Sequence, residues 1–446
     1  MVALSVHLHT LNNEPCLSQG DLLHLAEINF SCSLETLCYL KKSTLIQIVS
    51  TNIIKMIQNE YNFVSMKRAI AHMDLDTFFV SCERLKNSGL VGVPLIIGGG
   101  DRGVVASCSY ETRYFGVRSA MPIKMALRLC PEAKVIKGDM EMYSNMSRTV
   151  TEIIQEKVPV LEKASIDEFY MDLSGMDKFF GCYQWTSEIA ESVTKNTGLP
   201  ISFALSTNKT VSKIGTGESK PTGKLEINEQ QVKPFLNPLS IKKIPMVGNV
   251  TFQLLSRIGI RNIGTLSEMP IEVLQQLIGK NGSELWKKAN GIDETPVIPY
   301  SERKSISTEN TFSQDTIDIE GIKSILSGMV EQLCFQLRKE KWLASVVVVK
   351  IRYSNFDTET KQYKISYTSS DHTLRKYVLE LFNKLYTRRM RIRLIGIKFT
   401  DLVHGCHQMD LFEDTQELMS LYQTMDKIKV RFGAKSIRLG AGLLTS

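Results

Sequence analysis

The stretch HMDLDTFFVSCE, residues 72–83, decides the fold of this chain. It overlaps an apolar run at 69–73 that is typical of a short core strand. Asp74 and Asp76 follow that run, and residues two apart on a strand share a face, so both carboxylates can point the same way. From 77 to 85 the apolar residues recur at helical spacing. The stretch predicts a buried strand that ends in acids and leads directly into a helix.

A second acidic stretch, SIDEFYMD at 165–172, has the same character. Asp167 and Glu168 lie in a run, 164–173, whose apolar residues alternate as in a strand. Burying an acid is costly unless a cation or a donor compensates it, so two such strands could jointly hold a hard divalent cation such as Mg²⁺. Alternatively, the acids cap turns or pair with Lys or Arg. Periodicity alone leaves both interpretations open.

Two further stretches carry candidate phosphate-binding groups. In SYETRYFGVRSAMP, 109–122, Tyr110 and Arg113 are three residues apart, so a helical turn would place a hydroxyl and a guanidinium on one side. A solvated helix face is the alternative. The segment 208–224 holds Lys213 and Lys220 among glycines that are expected to relax the backbone for close approach to phosphate. Neither a Walker A spacing nor a dinucleotide GxGxxG unit occurs.

The composition is that of an ordinary globular protein, with 446 residues of which 43% are hydrophobic and 23% charged. It excludes a collagen, a low-complexity polymer and a largely disordered chain, and no apolar window is long enough to predict a membrane span. Nine Cys without framework or zinc-site spacing fit a reducing compartment. Because no secretory signal is recognisable, the cytoplasm is the expected location.

The net charge of +7 is unevenly distributed. Residues 1–65 hold three Lys and five acids, a net of −2, so the rest of the chain carries +9. The character changes abruptly at Met66, and we expect 1–65 to be an appendage outside the catalytic fold, with Met66 as the hypothetical natural start. Strand and helix signals then alternate to about 235, short helices follow to about 293, and strands return over 305–400. This pattern predicts an α+β multidomain chain.

The stretches HMDLDTFFVSCE, SYETRYFGVRSAMP, SIDEFYMDLSG and KIGTGESKPTG resemble the motifs of Y-family translesion DNA polymerases and stand in the same order. FGVRSAMP is similar to the DNA polymerase IV branch. The resemblance covers about 66–412 and implies a right-hand architecture. Its parts would be a palm at 66–83 and 145–235, fingers at 84–144, a helix-hairpin-helix thumb at 236–300, an α+β little finger that binds DNA at 305–412, and an unassigned tail at 413–446.

The resemblance also implies the reaction. It predicts a template-directed, error-prone DNA polymerase for translesion synthesis without a proofreading exonuclease, which adds deoxynucleoside triphosphates to a primer 3′-OH by two-metal nucleotidyl transfer. Two Mg²⁺ ions would be held by the catalytic carboxylates Asp74, Asp167 and Glu168 and by the backbone carbonyl of Leu75. Asp76 is expected to make only a local structural contact.

Substrate-binding residues follow from the same resemblance. Phe79 matches the steric gate, which would fill the space that a ribose 2′-OH needs. Tyr110, Arg113 and Lys220 match the triphosphate-binding positions. Lys213 could instead be a solvated or DNA-facing lysine.

Contacts with primer-template DNA are expected in two places. IPMVGNV, 244–250, resembles a hairpin whose Gly248 contacts a DNA phosphate, although Met246 stands where the motif usually has Gly, and a plain helix–helix connection is the alternative. The little finger carries a basic run without acids, which would make binding salt-dependent. Its members are Lys384, Arg388, Arg389, Arg391 and Arg393.

QMDLF, 408–412, looks like the peptide that binds the sliding clamp (beta clamp) of bacteria, with Gln408, Leu411 and Phe412 as anchors. Alternatively, the apolar anchors pack back onto the little finger. A monomer without membrane association is expected. A catalytically silent, clamp-tethered scaffold would not need the three carboxylates, and a nucleotidyl cyclase would need neither the hairpin nor the basic module, so a polymerase is the favoured prediction.

Overall fold

The structure is a computed structural model that describes residues 68–100, 102–176, 181–299, 302–405, 416–433, 436–438 and 440. The predicted appendage at 1–65 and the clamp-like peptide at 408–412 lie outside the described residues. Within these ranges, the helices are too short or too polar to cross a membrane.

The first half of the described chain is an α+β region with two sheets. In chain order its elements are β1 Ile70–Leu75, α1 Phe78–Lys86, β2 Leu95–Gly98, β3 Val105–Cys108, α2 Tyr110–Tyr114, α3 Ile123–Leu129, β4 Lys134–Ile136, α4 Met140–Gln155, β5 Val160–Lys163, β6 Glu168–Asp172, α5 Cys182–Thr197, β7 Ile201–Ser206, α6 Lys209–Ser219 and β8 Lys224–Ile227. A small sheet of order β3-β2-β4 occupies the predicted fingers.

The larger sheet positions the site and has the order β5-β6-β1-β7-β8. Strand β1 lies in its middle because IAHMDL is almost entirely buried, and it runs antiparallel to both β6 and β7. Ala71, Met73 and Leu75 point into the main core. The alternate residues of β1 face helix α6, since His72 contacts Thr216 across that interface at 3.0 Å.

Short helices make up the predicted thumb, as expected. They are α7 Val232–Leu236, α8 Asn249–Arg257, α9 Ile263–Ser267, α10 Ile271–Ile278 and α11 Lys280–Ala289. Between α10 and α11 stands a single residue, Gly279, at φ 65°. Gly282 lies inside α11, where a Cβ would come within 2.3 Å of the Leu274 carbonyl oxygen.

The predicted little finger is a four-stranded antiparallel sheet covered by helices. Its elements are β9 Ser305–Thr316, α12 Ile319–Lys339, β10 Trp342–Tyr353, β11 Thr358–Thr368, α13 Asp371–Leu385 and β12 Ile392–His404, with sheet order β11-β10-β12-β9. The strands predicted over 305–400 are present. The residues of β9 alternate without a strong apolar face, so this strand is the hardest to recognise from the sequence.

A last helix, α14 Gln416–Phe432, lies within the tail that the sequence leaves unassigned. It packs onto α12 and α13 through ion pairs. Lys429 Nζ lies 2.6 Å from Glu331 Oε1, and Arg338 donates to Asp426 at 2.7 Å and to Asp371 at 2.7 Å. We refer below to these five residues, Glu331, Arg338, Asp371, Asp426 and Lys429, as the helix seam.

The Gly- and Lys-rich segment at 208–224 is not a relaxed loop, so that expectation is wrong. Most of it is helix α6. Asn208 caps the N-terminus of this helix, because its side chain accepts from the Val211 N–H at 3.0 Å. Gly215 is inside this helix, where a Cβ would meet Ala204 Cβ and Ile227 Cδ1 at 2.8 Å each. The glycine therefore allows close packing of the helix on the sheet rather than approach to a phosphate.

Candidate active site

Carboxylates converge at one end of the central sheet. Asp74 of β1 lies directly opposite Glu168 of β6, and the Leu75 N–H donates to the Asp167 carbonyl oxygen at 3.0 Å. Asp167 itself lies in the bend before β6, because this strand begins at Glu168 and not at the start of the alternating run at 164. Its carboxylate accepts from the Ser165 hydroxyl at 2.5 Å, which fixes the bend.

Two lysines occupy these carboxylates in the structure. Lys220 Nζ lies 2.5 Å from Asp74 Oδ1, and Lys213 Nζ lies 2.6 Å from Glu168 Oε2. The sequence predicts Lys220 near the site and leaves Lys213 open between a phosphate-binding and a solvated or DNA-facing position; the structure pairs it with Glu168. The sequence does not predict the contact with Glu168, because it depends on Lys213 lying on a helix and 208–224 reads as a loop. We refer to Asp74, Asp167, Glu168, Lys213 and Lys220 as the sheet-edge cluster.

Burial dominates the electrostatics of Asp74. Burial, helped by the neighbouring charges of Asp167 and Glu168, raises the pKa of this carboxyl to about 6 against the lowering effect of Lys220. A carboxyl that is costly to ionise in the protein alone is stabilised as a carboxylate by any added cation. The sheet-edge cluster is therefore a place that favours positive charge.

Asp76 makes the local structural contact that was predicted for it. It is 1% exposed, and its Oδ2 accepts from the Ser202 hydroxyl and from the Thr222 N–H, both at 2.7 Å. The Tyr110 hydroxyl also donates to Oδ1 at 3.3 Å. Asp76 thus ties β1, β7 and the segment after α6 together, while Asp74 remains directed at the lysine.

Tyr110 and Arg113 lie on helix α2, as the three-residue spacing predicts. The Arg113 guanidinium lies over the Tyr110 ring, with its carbon 4.8 Å from the ring centroid. Burial and the nearby Asp76 carboxylate raise the pKa of Tyr110 to about 12. The Tyr110 hydroxyl therefore stays protonated at neutral pH and can donate to a phosphate oxygen.

Phe79 is held by an aromatic stack that sequence reasoning missed. Its ring lies parallel to that of Tyr143, at 13° and with centroids 4.4 Å apart. Tyr143 is fully buried in α4 and donates its hydroxyl to Glu83 at 2.6 Å. Neighbouring Phe78 belongs to the core. No motif points to Tyr143, because its contact with Phe79 depends on how α4 packs on α1.

The residues expected to contact DNA lie in two places, the thumb turn at Gly248 and the basic run of the little finger, and some of them are already paired. Gly248 caps the N-terminus of α8 in extended conformation, and Met246 before it has a left-handed φ of 78° with a side chain that is 82% exposed. The departure from Gly thus leaves the turn in place but strained. In the little finger, Arg388 is already paired with Asp357 at 2.8 Å and Glu359 at 2.9 Å.

The basic run is consequently less free than its sequence suggests. Arg393 lies 3.9 Å from Asp315 and over the Phe356 ring at 4.5 Å. Lys384 lies in the last turn of α13, while Arg389 and Arg391 lie in the connection to β12. The acids that engage Arg388 and Arg393 come from other strands, so counting charges along the run could not reveal them.

The oxygen donors at the sheet edge fit a divalent metal once their lysines move away. Three carboxylates and a backbone carbonyl are hard oxygen donors of the type that Mg²⁺ takes. The ammonium groups of Lys213 and Lys220 stand where cations would bind these oxygens. In the described part of the chain, no three His, Cys, Asp or Glu side chains are already gathered as ligands, so the carboxylates must leave their lysines to share an ion.

Comparison with known proteins identifies the class. Residues 73–217 match the impB/mucB/samB family model, and 303–411 match the C-terminal domain of the same family. DNA polymerase IV of Dehalococcoides mccartyi (strain CBDB1) is 34% identical over 378 residues, covering 84% of this chain and 97% of the relative. DNA polymerase IV of Exiguobacterium sibiricum is 35% identical over 340 residues, covering 75% and 94%.

Solved structures agree. A Y-family DNA polymerase chimera of Dbh and Dpo4 superimposes with a TM-score of 0.69 at 25% identity, covering 76% of this chain and 100% of the other. The chain belongs to the DNA polymerase IV group of Y-family polymerases. The predicted α+β right-hand fold and the predicted activity, a DNA-directed DNA polymerase that performs translesion synthesis, are thereby confirmed.

Proposed function

We propose that primer extension takes place at the sheet-edge cluster, with Asp74, Asp167 and Glu168 holding two Mg²⁺ ions together with the Leu75 carbonyl. The observation that supports this most directly is the pairing of Asp74 with Glu168 on adjacent strands, each with an ammonium group on its carboxylate. When bound, two divalent ions would lower the pKa of the primer 3′-hydroxyl and neutralise the departing pyrophosphate.

The chain's own residues supply binding and orientation. Lys220, which follows α6, and Arg113 and Tyr110 of α2 approach the cluster from two sides. They would bind the triphosphate oxygens of the incoming nucleotide, with Arg113 in bidentate manner and Tyr110 as a neutral donor. Held in this way, the α-phosphate would lie in line with the attacking hydroxyl.

Phe79 would select the sugar. Its ring is fixed against Tyr143, so it cannot swing away to admit a 2′-hydroxyl without breaking the stack. The buried Tyr143–Glu83 hydrogen bond in turn holds the stack in one position. This arrangement supports the steric-gate role of Phe79.

DNA would be held beyond the cluster by Gly248 at the thumb hairpin and by the little finger. Lys384, Arg389 and Arg391 are the basic residues of the run best placed to neutralise phosphates, and Arg388 and Arg393 would first have to exchange their acidic partners. An open groove on the little-finger sheet adds the missed lysines Lys304, Lys350 and Lys398. The clamp-binding role of Gln408, Leu411 and Phe412, the monomeric state and the cytoplasmic location stay predictions.

Primer extension with deoxynucleotides and Mg²⁺ tests the proposal, by comparing wild type with Asp167→Asn. We expect a loss of roughly a thousandfold or more in rate, because the neutral amide cannot share a divalent ion. Asp172→Asn is the matched control, since this acid lies at the other end of β6, where it accepts from the Ser174 N–H at 3.0 Å. Equal extension by Asp167→Asn and wild type would refute the assignment.

A further inference from the structure

The proposed reaction leaves Lys213 without a role, although its ammonium is bound to a catalytic carboxylate at 2.6 Å. We propose that Lys213 is a placeholder counter-ion: it holds Glu168 in the enzyme free of metal and DNA, and gives up that oxygen to a divalent ion. This inference rests on the metal site proposed above. It makes Lys213 a positioning residue that sets how readily the site takes a metal.

The position of Lys213 is fixed by the helix that carries it. Helix α6 is tied to β1 because the Ser212 hydroxyl donates to the Ile70 carbonyl at 2.7 Å and the Thr216 hydroxyl to the His72 carbonyl at 2.9 Å. Gly215 lets the helix lie close to the sheet. The backbone of Lys213 is therefore held in a fixed position, from which its side chain reaches Glu168 at the start of β6.

Charge explains why such a counter-ion is needed. The three carboxylates of the sheet-edge cluster carry −3 and its two lysines +2, so without the lysines three negative charges would face one another at the end of the sheet. The residual charge of −1 still attracts a cation. A divalent ion that binds Glu168 must replace the ammonium of Lys213, because both need the same oxygen.

Exposure indicates that this exchange is easy. The side chains of Lys213 and Glu168 are 34% and 23% exposed, so water reaches both partners and rotation of a flexible four-carbon stem separates them. One turn earlier on α6, Lys209 pairs with Glu162 but is only 13% exposed, and Glu162 also accepts from the Ile298 N–H at 2.7 Å. Lys209 is thus a structural lysine with the same charge on the same helix.

This difference supplies a matched experiment: Mn²⁺ binding to the full-length, DNA-free protein, followed by electron paramagnetic resonance of free Mn²⁺. We expect Lys213→Met to bind Mn²⁺ about tenfold more tightly than wild type, because the competing charge at the shared oxygen is gone. Lys213→Gln should behave in the same way, and Lys213→Arg should stay near wild type. Lys209→Met should change the affinity by less than about threefold, since it shares no oxygen with the ion.

Three other results of this Mn²⁺-binding experiment would overturn the inference. Unchanged or weaker binding by Lys213→Met and Lys213→Gln would mean that Lys213 does not compete with the ion. An equal rise in Mn²⁺ affinity in Lys209→Met would mean that the effect comes from the protein's overall charge and not from competition at Glu168. Asp167→Asn separates the two levels of the argument: if it binds Mn²⁺ as well as wild type, the proposed metal site itself fails, whereas weaker binding there without tightening in Lys213→Met removes only the role of Lys213.

Discussion

The sheet-edge cluster and the helix seam contain the same kinds of residue in the same numbers, three acids and two cations. In the seam, α14 is fastened to α12 and α13 by Arg338, which contacts both Asp371 and Asp426, and by the pair of Lys429 with Glu331. In the cluster, each lysine is bound to one carboxylate at the end of a sheet. Composition therefore does not distinguish a structural cluster from a catalytic one.

Burial distinguishes the Lys429–Glu331 pair of the seam from the Lys213–Glu168 pair of the cluster. The Lys429 and Glu331 side chains are 3% and 7% exposed, against 34% and 23% for Lys213 and Glu168. A buried pair cannot exchange partners without leaving a charge in a medium of low dielectric constant, whereas a partly exposed pair can exchange its partner for water or an ion. The Lys429–Glu331 pair is thus suited to fasten a helix, and the Lys213–Glu168 pair to release its cation.

Breaking the seam should have the largest effect. We expect Lys429→Met to lower the free energy of unfolding by about 3–5 kcal/mol, because it removes the ammonium that neutralises a buried carboxylate. Urea denaturation followed by circular dichroism measures the loss. The double variant Lys429→Met with Glu331→Met should recover most of it, since it removes both charges from the interface.

An exposed pair provides the control for this variant. Lys224 pairs with Glu191 at 2.7 Å, but the two side chains are 36% and 66% exposed. Lys224→Met should therefore change the free energy of unfolding by less than about 1 kcal/mol. A loss of that small size in Lys429→Met as well would contradict the structural role of the seam.

The sequence predicts the acids of the cluster better than their partners. Asp74 and Glu168 are found because each ends or begins a strongly patterned strand, and adjacent strands bring such residues together. The pairing of Lys213 with Glu168 is missed because it depends on α6, and a segment with three glycines in 17 residues reads as a loop. Tertiary packing at Gly215 overrides that low helix propensity.

The helix seam was beyond sequence reasoning for a related reason. Lys429 and Glu331 are 98 residues apart, and an amphipathic stretch in a tail does not reveal which surface will cover it. The basic run of the little finger shows the converse error, since charges that look free along the chain meet acids from other strands. Local patterns thus predict elements and their buried faces, while ion pairs between distant elements need the packed structure.

A milder change in the seam sharpens the comparison. Asp426→Asn removes one charge, but Arg338 keeps Asp371 at 2.7 Å and the Ser369 carbonyl oxygen at 3.0 Å. Because Asp426 is 19% exposed and the amide still accepts a hydrogen bond, we expect a loss of about 1–2 kcal/mol in the free energy of unfolding. The midpoint of urea unfolding measures it. A loss as large as that of Lys429→Met would show that the partly exposed side of the seam is as important as its buried side.

The smallest effect on stability is expected at the cluster. Lys213→Met breaks an ion pair as short as that of Lys429. Without metal it should nevertheless lower the free energy of unfolding by less than about 1 kcal/mol, since water can solvate the partly exposed Glu168. Saturating Mn²⁺ should then stabilise this variant more than wild type, by about 1.4 kcal/mol if its affinity is tenfold higher at equal metal concentration. Thermal unfolding with EDTA and with Mn²⁺ measures both effects. A metal-free loss matching that of Lys429→Met would mean that Lys213 fastens the fold, in which case exposure would not separate the two clusters.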